Sequence, residues 1–360
     1  MDFTFTEAQH DLSGLARALF TDWAEKGNLR DDTGFDRALW QATAQAGLLD
    51  AAVPEPVGGG FGVLEQCSVL IEIGRTLAPV PYLTSIAVAA SAVAHFGDEA
   101  QVQRWVVPVV GGAMTLAPAL ATEDDGFRAE ATATGWRVSG SRSAVPTGAF
   151  ADAFLVEAST VAGPLLLVID RATEGVQVSV QHVVDGTDAA LLELDNVEID
   201  IPAVLGAPGD GSAEWAHRRA TVAACAHQLG VLERALELTS EYACTRKQFD
   251  KPIGSFQAVR QRLADAYLDV EAVRLTLWQA AWRESEGLPA DAEIATAKFW
   301  ASEAGHRVAH TTVHIHASIG IFLEYPVHRY FVAAKRIEFT EGGATAQLRK
   351  LASASRRSEP

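Results

Sequence analysis

The thirteen residues Thr245-Arg-Lys-Gln-Phe-Asp-Lys-Pro-Ile-Gly-Ser-Phe-Gln257 set three cations, two phenylalanines and two glutamines side by side. That set suits an anion attached to a ring. An arginine fork such as Arg246 holds a pyrophosphate by paired charge-assisted bonds, while Phe249 and Gln257 stack on and hydrogen-bond a heteroaromatic ring. The same residues also fit an ordinary helix connection, with Pro252 at a helix start and Arg246 capping the preceding carboxyl end. A second cluster is His306, His310 and His314, spaced by four, with His316 close behind. Three imidazoles then lie along one helical face, an arrangement that can bind zinc. No Asp or Cys stands at ligand spacing, and no metal site is expected. The run Val57-Gly-Gly-Gly-Phe-Gly62 lacks the lysine and the strand-turn-helix setting of a phosphate loop, and reads as a hinge between helices.

An anionic ligand must find local positive charge here, because 29 Lys plus Arg against 46 Asp plus Glu give a net charge of -17. At long range that charge repels phosphate backbones and anionic lipid surfaces, so neither nucleic acid nor a membrane is expected as a partner. Met1-Asp-Phe-Thr-Phe-Thr-Glu7 carries neither a basic flank nor an apolar signal core. A cytoplasmic protein is expected. Cys67, Cys225 and Cys244 have no paired spacing and lie in apolar, helix-like surroundings, so no disulfide framework is expected.

With 360 residues, 48% of them hydrophobic, the chain can fill more than one core. From Phe5 to about Val107 apolar residues recur at spacings of three and four, as in Leu12, Leu15, Leu19 and Trp23, which predicts helices. Val53-Pro-Glu-Pro-Val-Gly-Gly-Gly-Phe-Gly62 cannot continue a helix and marks a connecting loop. Near Ala113 the texture changes. Glu130 to Thr134, Trp136 to Gly140, Ala153 to Glu157, Leu165 to Ile169, Val176 to Val180 and Leu191 to Asp195 are short and β-rich, which predicts a β domain. The helical period returns after Gly209, with four long helices predicted over Trp215–Leu236, Ser255–Glu286, Ala290–Ser318 and Tyr325–Leu351. The stretch from Ala352 to Pro360 reads as a frayed tail.

The order arginine, two residues, phenylalanine, then proline, isoleucine, glycine, one residue, phenylalanine, glutamine resembles the flavin signature of acyl-CoA dehydrogenases. Glu324-Tyr-Pro-Val-His-Arg-Tyr330 and Glu341-Gly-Gly343 match that family's carboxyl-terminal pattern, and the likeness covers essentially the whole chain. More narrowly, the chain looks like one subunit of the actinobacterial heteromeric (α2β2) dehydrogenases that act on steroid side chains. The resemblance implies a mainly α fold with a central β domain. It comprises a helical domain over 1–112, a β barrel-like domain over 113–207 and a four-helix bundle over 208–352, with a tail at 353–360. It implies FAD, an acyl-CoA substrate, a homologous partner subunit and an electron-transferring flavoprotein as acceptor. By the same resemblance Arg246, Gln248, Phe249, Gln257, His314, Ser318, Gly343 and Thr345 bind FAD, with Arg246, Phe249 and Gln257 reaching FAD held mainly by the neighbouring subunit and His314 and Ser318 lying near its adenine.

Dehydrogenating a thioester removes a weakly acidic carbon-bound proton, for which a carboxylate in a dry pocket is suited. Glu341 stands where the family has its catalytic glutamate. A solvated acid at a helix start fits the same residue. The family's other base position, on the first bundle helix, reads Arg218 here. Its flavin-contacting Thr-Glu-Pro stretch appears as Thr122-Glu-Asp-Asp-Gly-Phe-Arg128, without Gly-Ser-Asp, and its Trp-Ile-Thr-Asn stretch as Val145-Pro-Thr-Gly148. Thr122 and Thr147 remain as hydroxyl donors. Ala317 and Ser318 replace glycines usual beside the adenine. The expected function is therefore a subunit that contributes a cross-subunit FAD clamp to a catalytic partner forming a trans-2 double bond. Two alternatives stay open, a self-sufficient homotetramer with Glu341 as base and a scaffold that binds no flavin.

Overall fold

The computed structural model describes residues 4–26, 34–51, 53–55, 57–122 and 126–357. The helices in chain order are α1 (Glu7–Glu25), α2 (Arg37–Gln45), α3 (Val63–Thr76), α4 (Ser91–Phe96), α5 (Glu99–Gln101) and α6 (Val107–Val110). They continue with α7 (Ser212–Thr245), α8 (Gln257–Ser285), α9 (Asp291–His316), α10 (Val327–Phe339) and α11 (Ala344–Arg357). Tyr82–Ala90 and Val102–Val106 are π-helical and run directly into α4 and α6. Strands β1 (Leu116–Ala119), β2 (Gly126–Ala131), β3 (Gly135–Pro146), β4 (Ala153–Thr160), β5 (Gly163–Asp170), β6 (Val176–His182), β7 (Asp188–Asp200) and β8 (Val204–Leu205) lie between α6 and α7. No helix among the described residues is long and apolar enough to cross a membrane.

The predicted order of helices, β domain and helices is the observed one. Two compact units emerge, one of α1, α3, most of α7 and α8–α11, the other of α2, α4–α6, the eight strands and the start of α7 up to Ala220.

In the first unit α1 begins with a capping box. The Thr6 hydroxyl accepts from the Gln9 N–H at 3.2 Å, and the Gln9 amide oxygen accepts from the Thr6 N–H at 2.8 Å. Ala16, Phe20 and Trp23 then form its buried stripe. Helix α1 packs on α3, α3 on α8, and α9 is embraced by α8, α10 and α11. Helices α3 and α7 approach so closely that a Cβ on Gly230 would lie 2.0 Å from the Ile71 carbonyl oxygen, and one on Gly74 would lie 2.2 Å from that of His227.

The second unit is built on a sheet of order β6-β7-β3-β2-β4-β5-β8, with β1 pairing in parallel to β4. Strand β2 alternates exposed and buried positions, whereas β4 is buried over its first six residues, as expected of a central strand covered on both faces. Phe127, Val138, Phe154, Leu165, Leu192 and Val197 are among the residues of its core.

Three expectations are corrected. The single helix predicted over Tyr325–Leu351 is two helices, because Glu341 and Gly342 adopt φ of 58° and 86° and break the ladder between α10 and α11. Helix α11 continues to Arg357, so the segment read as a frayed tail is helical that far; residues 358–360 lie outside the described residues. Cys244 is exposed rather than packed, while Cys67 and Cys225 are buried, and all three are free. In the loop read from Val53 to Gly62 no described residue is helical, and Pro56 lies outside the described residues.

The close crossing gives a pair of opposite predictions. Gly230→Ala forces backbone apart and is expected to cost ~1–3 kcal/mol. Gly14→Ala, mid-helix in α1 with nothing within 4 Å of the added Cβ, is expected to stabilise by ~0.5–1 kcal/mol. Urea unfolding of the two variants measures both signs.

Candidate functional site

The cationic segment folds as a small hairpin. Strand β9 (Lys247–Gln248) pairs antiparallel with β10 (Lys251–Pro252), leaving Phe249 and Asp250 as a two-residue connection with φ of 52° and 64°. Both central residues at positive φ is the pattern that normally selects Asn-Gly, and a non-glycine residue there costs ~1–2 kcal/mol. The base of the hairpin is closed by the Arg246 N–H donating to the Tyr242 carbonyl and the Ile253 N–H donating to that of Arg246, each at 2.8 Å. Phe249 stands 87% exposed, touching the edge of Phe256 at 6.2 Å between centroids, and Lys251 Nζ lies 4.6 Å above the Phe256 ring.

Arg246, Gln248 and Gln257 are exposed. The Arg246 guanidinium has no ion-pair partner among the described residues. Helix α8 starts at Gln257 with no side chain capping it, so its first N–H groups carry the positive end of the helix dipole. Pro252 does not open that helix but precedes a 3-10 turn, Ile253–Ser255. The simple helix connection is thereby replaced by a projecting hairpin.

At the end of α9, His314 and Ser318 are exposed, and the helix stops at Ala317, with φ 55° and ψ -140°. That backbone is one glycine adopts cheaply, which accounts for glycine being usual there. His316, between His314 and Ser318, is 1% exposed with neither ring nitrogen partnered. Burial pushes its pKa down to about 4, and it lies stacked on Tyr242 at 4.2 Å. Its only sequence signal is its place beside His314. His306 and His310 contact each other at 4.5 Å, but no group of three or more His, Cys, Asp or Glu among the described residues is placed to hold a metal ion. An unpaired guanidinium, an uncapped helix start and orphaned ring nitrogens fit an anionic dinucleotide.

Glu341 and Gly343 are half-buried in the turn between α10 and α11, and Thr345 is exposed in the first turn of α11. The turn is held from α11 by the fully buried Gln347, whose Nε2 donates to the carbonyls of Glu341 at 2.8 Å and Gly342 at 3.1 Å. Glu341 is thus in a left-handed turn rather than at a solvated helix start.

In the sheet unit, one of the two hydroxyls that resemblance left for a flavin, that of Thr147, is engaged within the chain. The Ala121 N–H, next to Thr122, donates at 2.8 Å to the carboxylate of Glu157, which His217 Nε2 meets at 2.8 Å. Burial pushes the Glu157 carboxyl up, but the His217 bond and charge and the Ala121 N–H outweigh it, leaving the pKa below its ordinary value. Thr84 donates to the Pro81 carbonyl, so at the 2.6 Å contact between hydroxyls the proton is that of Thr147. Thr147 is therefore not a free donor. Glu123, Asp124 and Asp125 lie outside the described residues. Glu157 was legible only as an acid inside the apolar run Ala153-Phe-Leu-Val-Glu-Ala158.

Residues 6–113 match the model of the acyl-CoA dehydrogenase N-terminal domain, and residues 212–355 that of the acyl-CoA dehydrogenase C-terminal domain. The chain is 46% identical to acyl-CoA dehydrogenase FadE27 of Mycobacterium tuberculosis over 98% of both sequences. It is similar to a chain of the ChsE4-ChsE5 complex from Mycobacterium tuberculosis, at TM-score 0.95 and 46% identity over the whole of both chains. It is also similar to a chain of the Tcur3481-Tcur3483 steroid ACAD, at TM-score 0.91 and 37% identity over 98% of both. Solved structures of this fold include an FAD complex and a complex with FADH2.

A lowered carboxyl pKa in the folded chain means that the carboxylate stabilises the fold at neutral pH and that this contribution fades as pH falls through the lowered value. Glu157→Gln is therefore expected to unfold more easily than the parent near neutrality, with the difference shrinking in acid. Urea titrations of both proteins across that range measure the convergence.

Proposed function

The chain belongs to the acyl-CoA dehydrogenase family, and from that premise we propose that it is the subunit of a heteromeric enzyme that lends a flavin clamp to a catalytic partner. One asymmetry carries the reading. The projecting hairpin offers an unpaired Arg246 and a bare Phe249, whereas the Ala121 N–H and the Thr147 hydroxyl of the sheet unit are consumed within the chain. The likeness to chains of the ChsE4-ChsE5 complex and of a steroid ACAD supports a homologous partner in an α2β2 assembly and a bulky, steroid-linked acyl-CoA substrate. The product is the trans-2-enoyl thioester, with an electron-transferring flavoprotein as acceptor and the cytoplasm as compartment. The chain divides for this work into 1–112, 113–207 and 208–352, followed by 353–360.

FAD, when bound, supplies the acceptor for the hydride leaving the substrate. Arg246 pairs with the pyrophosphate through its planar fork, reinforced by the α8 N-terminus. Gln248 and Gln257 hydrogen-bond the dinucleotide, Phe249 covers it against water, and His314, Ser318, Gly343 and Thr345 complete its wall. The partner contributes the carboxylate that takes the proton. A second reading keeps Glu341 as this chain's own base, favoured by the fixed turn that carries it.

Purification alone and with a homologous partner, followed by the visible flavin spectrum and acyl-CoA-dependent dye reduction, separates these readings. The lending subunit is colourless alone and gives a yellow, active complex. Arg246→Ala, which removes a charge-assisted pair worth ~1.5–3 kcal/mol, is expected to weaken FAD binding to that complex roughly 10- to 150-fold. Unchanged FAD content in this variant means the clamp assignment is wrong. Loss of turnover in Glu341→Gln moves the base to this chain.

A further inference from the structure

An α-helix leaves its last four carbonyls without helical partners, and at α10 all four can be accounted for. Arg336 accepts from the Thr340 N–H and hydroxyl, each at 3.2 Å, and Phe339 accepts from the Gly342 N–H at 3.1 Å. The middle two are met by another helix. Lys298 Nζ, on α9, donates to the Ile337 carbonyl at 3.0 Å and to that of Glu338 at 3.1 Å, and Ser302 Oγ donates to Glu338 at 2.9 Å. The third Lys298 proton goes to Ser302 Oγ at 2.7 Å. Lys298 is 0% exposed.

A fully buried ammonium is an expensive way to fill a core, since a methionine of the same length would pack there without losing hydration. Burial pushes the Lys298 pKa down to about 8. The charged groups acting on it are the Glu341 and Glu338 carboxylates from the turn and α10 and Lys350 from α11. The Cys225 thiol on α7 also faces it, itself pushed by burial up to about 12. Among the described residues no carboxylate forms an ion pair with it. Its countercharge is the negative end of α10. What the ammonium secures, and an apolar side chain cannot, is the point at which α10 stops.

We propose that Lys298 is the positioning residue for the turn Thr340–Gly343, fixing from α9 the end of α10 while Gln347 fixes the other side from α11. Together the two side chains hold the carbonyls of Ile337 and Glu338 on one side of Phe339-Thr340 and those of Glu341 and Gly342 on the other. The left-handed Glu341 and Gly342 are thereby held in place, and with them the face carrying Gly343 and Thr345. The inference rests on the reading of that face as part of the shared flavin site.

The test is amide hydrogen exchange and FAD retention on the co-purified complex carrying Lys298→Met. Exchange over 338–346 is expected to rise about tenfold or more, with the hairpin 246–252 unchanged and FAD held more weakly. Ser302→Ala, which removes one hydroxyl and keeps the ammonium, is expected to give a smaller rise in the same segment and serves if the methionine variant does not fold. Unchanged exchange over 338–346, or a rise spread evenly over α8–α11, overturns the positioning role. A rise confined to 338–346 with FAD retention intact upholds the positioning role and removes the turn from the flavin site.

Discussion

A charge taken out of water has to be answered where it lies, and both units of this protein are organised around charges that are. Leaving one unanswered costs several kcal/mol. Glu72, 2% exposed at its side chain, is met by Arg17 at 2.7 Å and by Arg75 at 3.8 Å. Arg75 reaches on to Glu233 and Glu237, each at 2.8 Å, and Arg274 meets Glu233 at 2.7 Å, so α1, α3, α7 and α8 share one ionic seam. The Tyr330 hydroxyl donates to the Arg75 carbonyl at 2.7 Å and brings in α10. Glu157 in the sheet and Lys298 in the bundle follow the same rule with different partners.

The clamp inverts that rule. Arg246 is exposed and without an ion pair among the described residues, on a chain whose net charge of -17 gives any cation ample choice of acids. The difference is geometric. The Arg246 guanidinium stands at the exposed base of a hairpin closed by backbone hydrogen bonds, where no described carboxylate reaches it. Its charge is thereby left for an anion from outside, which is what an acidic subunit needs if it is to touch a pyrophosphate.

The order of helices and strands was legible because periodicities of 3.6 and 2 survive over long segments. Strand β1, Leu116-Ala-Pro-Ala119, was not, since four buried residues show no alternation. Composition marked the segment 245–257, but its hairpin was hidden by Phe-Asp where turn chemistry leads one to look for Asn-Gly. The break between α10 and α11 was marked only by Gly342-Gly343 within a continuing helical period. Lys298, Glu157 and His316 stood in plain view as polar residues in apolar runs. Their meaning depends on Glu338, His217 and Tyr242, some 40, 60 and 74 positions away, which no local pattern reports.

Backbone strain points to the same segments by an independent route. Among the described residues, eight other than glycine have positive φ. Leu77 closes α3, while Ala144 and Asn196 accompany register shifts between β3 and β7, so chain geometry accounts for those three. The other five, Thr147, Phe249, Asp250, Ala317 and Glu341, lie in the stretches that motif comparison had marked for flavin contact or catalysis. At 249 and 250 a glycine pair would relieve the strain, yet the chain carries an aromatic and an acid there and turns the aromatic into solvent. Strain that persists against the cheaper residue is held by the surrounding structure, here the closed hairpin base and the helices it joins. Matched charge and closed hydrogen bonds thus lie within each unit, while strain, an unanswered cation and a bare ring meet on one outward segment. Such a segment keeps only a few contacts of its own, the Phe249–Phe256 edge and Lys251 above the Phe256 ring, and leaves its cation and its aromatic face open to solvent.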